Sequence, residues 1–325
     1  MKRNELLRAI ATTIEDYQAG TLAAPTPEHV EKWINQFPQA SQLPILSEIS
    51  HVLDKTYFSR IRVRRVLRAV IKYPGWTAGD PSAFWRQVNF LDLQPRGNSQ
   101  RDLLALFDKS LNKECGYGIS ECGQGNKFLY LDDGLFSGGR IGSDLDGWIM
   151  GPAPKNAELM VAVIALHTQG HYFTNQSLRR AIAKSGKSIN LSWVHYMQIE
   201  DGLFKVSDSD VLRPTNSEAD PEVKKYIASL GRNPTWRVGT STGPKNFFSS
   251  NKGREVLEQE FLKKGIELRA RCPYLNEYQR PLGNTTMKTL GFGTLFATFR
   301  NCPNNAPLVL WAGDPWYPLL RRVTN

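Results

Sequence analysis

Cysteine is scarce in this chain of 325 residues, and so is negative charge. The four cysteines, Cys115, Cys122, Cys272 and Cys302, show no C-x-x-C spacing, which argues against a zinc cluster or a disulfide framework. Reduced thiols are the expected state. His167 and His171 stand at i and i+4, but no H-E-x-x-H surrounds them and Gly170 interrupts the spacing, so no direct metal cluster is expected. The longest apolar run, Leu159 to Leu166, is far too short to span a bilayer. Met1-Lys-Arg-Asn-Glu-Leu-Leu-Arg8 lacks the apolar stretch of a signal peptide, so a cytoplasmic protein with no membrane partner is expected. Internal repeats and low-complexity tails are missing too. Acidic residues number 31 against 41 Lys and Arg, and the resulting net charge of +10 favours an anionic partner: a nucleic acid, a nucleotide or an acidic protein.

What is present divides into two textures. Up to about residue 80 the chain reads as helices. Val30, Trp33, Ile34 and Phe37 share one helical face, and Ser47 to Leu53 and Arg60 to Ile71 continue the pattern between Pro38, Pro44 and Pro74. In the last of these helices Val63, Val66, Leu67, Val70 and Ile71 form the core stripe. Arg62, Arg65, Arg68 and Lys72 fall on another face, which suits nucleic acid as well as plain solvent or an acidic protein. From Val88 onward strands and helices alternate. Val88 to Gln94, Lys127 to Leu131, Glu158 to Leu166 and Ile189 to Met197 read as strands. Helices are expected after Asp102, over Gln176 to Lys184, over Pro221 to Leu230 and over Ser250 to Lys264, the last stopped by Gly265. Ile266 to Cys272, Gly293 to Phe299 and Pro307 to Trp311 read as further strands, and Val206 to Pro221 as a surface loop.

The stretch Lys127-Phe-Leu-Tyr-Leu-Asp-Asp-Gly-Leu-Phe-Ser-Gly-Gly-Arg-Ile141 carries the most chemistry. A buried strand runs into two carboxylates, Asp132 and Asp133. Ser137-Gly138-Gly139 follows, small enough to lay backbone N–H groups around an anion, and a helix beginning there adds its positive dipole end. Acids that can grip hydroxyls thus stand one short loop from a phosphate cradle, an arrangement suited to a sugar phosphate. An ordinary Asp-rich turn is the alternative. Upstream, Arg96-Gly-Asn-Ser99 sits between a strand and a helix and forms a second anion site by the same physics.

This pattern resembles the ribose-phosphate motif of type I phosphoribosyltransferases. The resemblance implies that Asp132 and Asp133 hold the ribose hydroxyls of phosphoribosyl pyrophosphate, and that Ser137, Gly138, Gly139 and Arg140 wrap its 5′-phosphate. Arg140 stands where the family usually has Thr. Arg96, Gly97, Asn98 and Ser99 would bind the pyrophosphate, with Mg²⁺ held through the ligand, Asp132 and Asp133. Asn112 to Asn126, rich in glycine, occupies the place of the family's closing loop, a lid or a loop without a role. The implied fold is α/β: a central, mostly parallel sheet flanked by helices, in a phosphoribosyltransferase-like domain with a C-terminal extension over 85–325. The helices over 1–80, separated by short turns and one with an arginine face, read by themselves as a winged-helix-like or helix-turn-helix region.

The chain further resembles one branch, the PRTase-CE proteins of bacterial conflict and anti-phage systems. That likeness lies in Trp33-Ile-Asn-Gln-Phe37, Phe90-Leu-Asp-Leu-Gln-Pro-Arg-Gly-Asn-Ser-Gln100, the Asp132-Asp133 motif, Phe299 to Trp311 and Trp316 to Arg322. It implies a defence effector that acts on nucleotides or a nucleic-acid-linked target, with partner proteins such as a retron reverse transcriptase. A non-catalytic, nucleotide-sensing regulator that binds DNA or RNA, or a scaffold in such a complex, remains open alongside it.

Overall fold

The computed structural model describes residues 2–94, 99–216 and 220–322. The chain opens with helices α1 (Arg3–Thr13), α2 (Pro27–Ile34) and α3 (Gln39–Thr56), then a short strand β1 (Tyr57–Phe58). Helices α4 (Arg60–Ile71), α5 (Pro74–Thr77) and α6 (Pro81–Arg86) lead into β2 (Val88–Phe90), α7 (Ser99–Cys115), β3 (Lys127–Leu135), α8 (Gly139–Met150), β4 (Asn156–His167), α9 (Thr168–Ser185) and β5 (Ser188–Ile199). The remainder holds α10 (Pro221–Ser229), α11 (Asn251–Arg271), β6 (Gln279–Arg280), β7 (Gly283–Asn284), β8 (Ala297–Thr298) and α12 (Leu308–Trp311). Two compact units result: Ile61–Gln198, and Met1–Arg60 together with Ile199–Asn325. The boundary expected between residues 80 and 85 therefore falls inside one unit, because α4 to α6 share a core with β2 and α7.

In the unit Ile61–Gln198, β2, β3, β4 and β5 form a parallel four-stranded sheet in that order. Phe90, Leu129 and Met160 are register partners and face one side. There Phe107 of α7 meets Phe90 at 5.3 Å and Trp85 at 5.0 Å between ring centroids. The other face packs Tyr130, Leu159, Val161 and Val163 against Ile141, Leu145 and Trp148 of α8 and Leu178 and Ala181 of α9. Burial on both faces explains why β3 and β4 read as unbroken apolar runs. Each such side chain taken from water contributes on the order of 2 kcal/mol.

Differences from the sequence reading have local causes. Strand β2 stops at Phe90 because the N–H groups of Leu93 and Gln94 are taken by the Gln100 side chain, at 2.8 and 3.2 Å, instead of a ladder. The acids do not end β3; Gly134 and Leu135 still pair with Ala165 and Leu166. The segment expected as a lid is tied down at the amino end of the sheet. Gln124 N donates to Arg86 O at 3.1 Å, Asn89 Nδ2 donates to Gly125 O at 2.8 Å, and Tyr117 is buried beneath the Arg86 guanidinium. Asp132 and Asp133 lie near the other end of nine-residue β3, on the order of 15 Å away at about 3.3 Å per residue, so this segment cannot close over them.

In the other unit, Trp33, Phe37, Phe261 and Trp316 stack edge to face and tilted, and the indole N–H groups of Trp33 and Trp316 both donate to Val309 O, at 2.8 and 2.9 Å. The helical front is present, and its strand β1 pairs in parallel with β8, near the far end of the chain, rather than in a hairpin wing. Gly265 does not stop α11. A Cβ there would lie 2.8 Å from Pro281, so glycine admits a close crossing and the helix runs on to Arg271, absorbing the strand expected from Ile266. Pro307 caps α12 where a strand was expected, and only Ala297 and Thr298 of the Gly293–Phe299 stretch pair as strand.

This unit also buries an ion network that the sequence gives no sign of. Glu258 accepts from Arg254 Nε at 2.7 Å, Arg237 Nη2 at 2.8 Å and the Arg213 backbone N–H at 3.0 Å. Arg254 spends its other donors on Ser209 and on the Val211 and Ser241 carbonyls. Burial lowers the pKa of Arg254 and Arg213 from the usual range, the neighbouring Glu258 opposing it. Breaking one member of such a network leaves buried charge uncompensated. Glu258→Gln is therefore expected to lower the unfolding free energy by roughly 3–5 kcal/mol, read as a shift of the urea midpoint at constant m-value; an unchanged midpoint would contradict the network's role.

Candidate functional site

Neighbouring residues on a strand point to opposite faces, and this separates the two acids. Asp132 shares the face of Phe128 and Tyr130 and is 5% exposed. Its Oδ2 accepts from Gln94 Nε2 at 3.0 Å and its Oδ1 from the Asp133 N–H at 2.9 Å. Gln94 Nε2 also donates to Tyr130 Oη at 3.1 Å, and the Tyr130 hydroxyl donates to Asp144 Oδ2 of α8 at 2.8 Å. Burial first, and then the Asp133 charge, push the Asp132 carboxyl up to about 8. Asp132 therefore stays largely protonated at neutral pH. Burial and the adjacent acids likewise keep the Tyr130 hydroxyl protonated.

Asp133 is only partly buried and faces the α7 side, where Ser99 Oγ, at the first residue of α7, lies 3.5 Å from its Oδ2. Of the four residues expected to bind a pyrophosphate, the structure thus places Ser99 beside Asp133. Arg96, Gly97 and Asn98 lie outside the described residues. Gln100 is fully buried, and its Nε2 has no hydrogen-bond partner among the described residues. A buried donor is costly to leave unpaired, and this one lies one residue inside α7, beside Ser99.

The loop after β3 is fixed from below. Burial lowers the His167 pKa to about 4, so the ring is neutral and its Nδ1–H donates to Leu135 O at 2.9 Å. Gly138 has φ +81°, and a Cβ on it would overlap Thr174 Oγ1 of α9. A Cβ on Gly170 would overlap the Phe136 carbonyl oxygen in the same way. Only glycine at both positions lets the loop lie on the first turns of α9. From there Gly138 caps α8, whose first helical bond is Gly142 N to Gly138 O at 2.8 Å. The N–H groups of Gly139, Arg140 and Ile141 thus have no intrahelical acceptor and form, with the dipole, a seat for an anion. Ser137, Gly139 and Arg140 are exposed around it.

Sequence reasoning located Asp132, Asp133 and the Ser137–Arg140 loop, and the fold brings them to one sheet edge. It missed Gln94, Gln100, Tyr130, Asp144, Gly170 and Thr174, which set the geometry of that edge. The only sequence sign was the pair of glutamines flanking the Pro95–Asn98 segment. The arginine face of α4 lies elsewhere in the unit and is partly consumed. Arg68 and Lys72 both bind Glu114 of α7, at 2.7 and 2.5 Å, while Arg65 is exposed and Arg62 half-buried. A cleft of about 450 Å³ at the amino edge of the sheet is lined by Trp76, Phe84, Lys127 and Glu158 among others, and Lys127 is already 3.4 Å from Glu158 there.

As an oxygen donor for a hard cation the two acids differ. Mg²⁺ takes one or two carboxylates together with ligand phosphates. Asp133 fits that role, being partly open and next to Ser99, whereas Asp132 is buried, bonded to Gln94 and the Asp133 N–H, and held protonated by burial. The PRTase-CE family model matches residues 30–322 of the chain. No curated protein and no solved structure matches it.

The raised pKa of Asp132 makes a signed prediction. A carboxyl in the unfolded chain titrates near about 3.9, and in the folded protein at about 8. Between those values the folded state holds a proton that the unfolded state has lost, so this group makes stability fall as pH rises. Asp132→Asn is expected to remove that slope. Denaturant midpoints of the two proteins should agree below about pH 4 and diverge above it, the variant being more stable at the alkaline end. A constant difference at every pH would refute the assignment.

Proposed function

The chain belongs to the PRTase-CE family, which is phosphoribosyltransferase-like, and on that premise we propose that it binds phosphoribosyl pyrophosphate, or a nucleotide, at the carboxyl edge of β3. The observation that carries this reading is the seat built by Gly138 in the left-handed conformation at the start of α8, within the same short segment as Asp133. The 5′-phosphate takes the free amides of Gly139 to Ile141, with Ser137 and Arg140 around it. Asp133 holds ribose hydroxyls on the α7 side, next to Ser99, and the buried Gln100 amide adds a donor to that end. Asp132 acts as a positioning residue: its bonds to Gln94 and to the Asp133 N–H fix the backbone from which Asp133 projects.

Transfer on this site breaks the C1′–O bond, the electron pair leaving with pyrophosphate. A nitrogen of the acceptor bonds to C1′ and gives its proton to solvent. The Asp133 carboxylate favours the positive charge that builds on the sugar, and the loop holds the ribose in line. Mg²⁺, held by Asp133 and the ligand's phosphates, would offset charge on the leaving group. In this reading the protein is an effector of a bacterial anti-phage system acting on nucleotides or a nucleic-acid-linked target, alongside defence partners such as a reverse transcriptase. The support for that role is the family resemblance.

A second reading has its own observation. Arg140 replaces the usual Thr hydroxyl and Asp132 is buried and protonated, which suits a sensor that binds the same ligand without turnover. Incubation with phosphoribosyl pyrophosphate, Mg²⁺ and a pool of bases and nucleotides, followed by mass spectrometry, separates the two. Calorimetry on the same protein is expected to show binding that weakens about tenfold or more in Asp133→Asn, in line with loss of a charged hydrogen-bond partner. Binding with a new glycosidic product supports the enzyme, and binding without product supports the sensor. Unaltered affinity in Asp133→Asn removes both.

A further inference from the structure

Helix α9 runs Thr168-Gln-Gly-His-Tyr-Phe-Thr-Asn-Gln-Ser-Leu-Arg-Arg-Ala-Ile-Ala-Lys-Ser185 and contains no acidic residue. Its inner face is accounted for. Gly170, Thr174, Leu178 and Ala181 are buried, the first two against the loop after β3 and the last two in the core, while the His171 ring packs on Trp193 at 4.9 Å. Its outer face is not. Tyr172 and Phe173 are each 58% exposed, and their rings touch edge to face at 5.3 Å. Arg179, Arg180 and Lys184 are exposed and make no ion pair among the described residues. This differs from α4, where two of the four expected cations are bound to Glu114.

Helical spacing orders these groups. Phe173, Arg180 and Lys184 stand at i, i+7 and i+11, one stripe; Tyr172, Gln176 and Arg179 at i, i+4 and i+7 make the stripe beside it. Each stripe begins with an aromatic ring and ends in positive charge, the first over roughly 16 Å and the second over roughly 10 Å at 1.5 Å per residue. The aromatic end is the end next to the anion seat, since Gly170 and Thr174, on either side of the two rings, are the residues that support Phe136 and Gly138. Large exposed rings have no packing role here. Rings followed by unpaired cations are the combination that binds unpaired bases by stacking and their phosphates by charge. A duplex keeps its bases stacked internally and cannot use such rings.

We infer that the outer face of α9 is a track for single-stranded nucleic acid, leading along Lys184, Arg180 and Arg179 to Tyr172 and Phe173 at the edge of the ribose-phosphate site. The inference rests on the proposed function for what lies at the end of the track, not for the track itself. It makes a nucleotide within, or at the end of, a strand the class of target presented to the site.

The test uses the full-length protein and fluorescein-labelled single-stranded oligothymidine and RNA in anisotropy titrations over a salt series, with a labelled duplex for comparison. The single strands are expected to bind better than the duplex. Tyr172→Ala with Phe173→Ala should weaken binding about tenfold or more. Arg179→Ala, Arg180→Ala and Lys184→Ala together should weaken it and reduce the slope of log K against log salt by about 2, three contacts at about 0.7 each. Arg8→Ala on α1, an exposed cation outside the faces of α4 and α9, should leave it unchanged. No binding of single strands, equal binding by the α9 variants, or preference for duplex overturns the inference. So does a change in sedimentation from dimer to monomer in the variants with oligonucleotide affinity intact, which would make this face a protein interface. Calorimetry with phosphoribosyl pyrophosphate, run on the same samples, separates the two proposals: loss of that binding in the unaltered protein removes the proposed site and leaves the track standing.

Discussion

The close approach of α9 to the loop leaving β3 is the constraint on which the candidate site depends. Two glycines make it sterically allowed, since side chains at Gly138 and Gly170 would overlap Thr174 and the Phe136 carbonyl. The neutral His167 ring anchors the same exit through Leu135 O. With the chain held there, Gly138 can adopt its left-handed conformation and α8 can start with its free amides at the sheet edge. An anion seat assembled from backbone needs this rigidity, because amides that move with the loop lose the advantage of being arranged beforehand.

The two acids that look equivalent in sequence are made different by the sheet. Pleating sends Asp132 into the helix-covered face, where burial keeps it protonated and Gln94 and the Asp133 N–H each donate to one of its oxygens. Asp133 goes to the other face, partly open and next to α7. One acid is thus part of the buried framework and the other stands partly exposed. The Gln94–Tyr130–Asp144 chain links Gln94, strand β3 and helix α8 into one hydrogen-bonded unit.

Much of this was legible because it is local. Unbroken apolar runs marked β3 and β4, since a strand covered on both faces has no polar side to show. The stripe Val63, Val66, Leu67, Val70 and Ile71 marked α4 to its ends, and the small residues Ser137 to Gly139 marked the loop. What misled the reading was glycine and proline in tertiary roles. Gly265 looks like a helix stop but is a crossing point with Pro281. The glycines of 116–126 look like a mobile lid but lie in a segment tied to Arg86 and Asn89 at the wrong end of the strand. Arg68 and Lys72 look free until α7 brings Glu114 between them.

By itself the sequence determined helix α4, strands β3 and β4, the acid-and-glycine motif and the excess of positive charge, because periodicity, residue size and charge count need no knowledge of neighbours. Tertiary structure alone decided which acid is buried, which cations are already paired, that Glu258 sits among three arginines, and that Tyr172 and Phe173 of α9 stand exposed near the loop after β3. Those properties depend on which side chains from distant segments come within a few ångströms of each other, and hydrogen bonding and desolvation act only over that range.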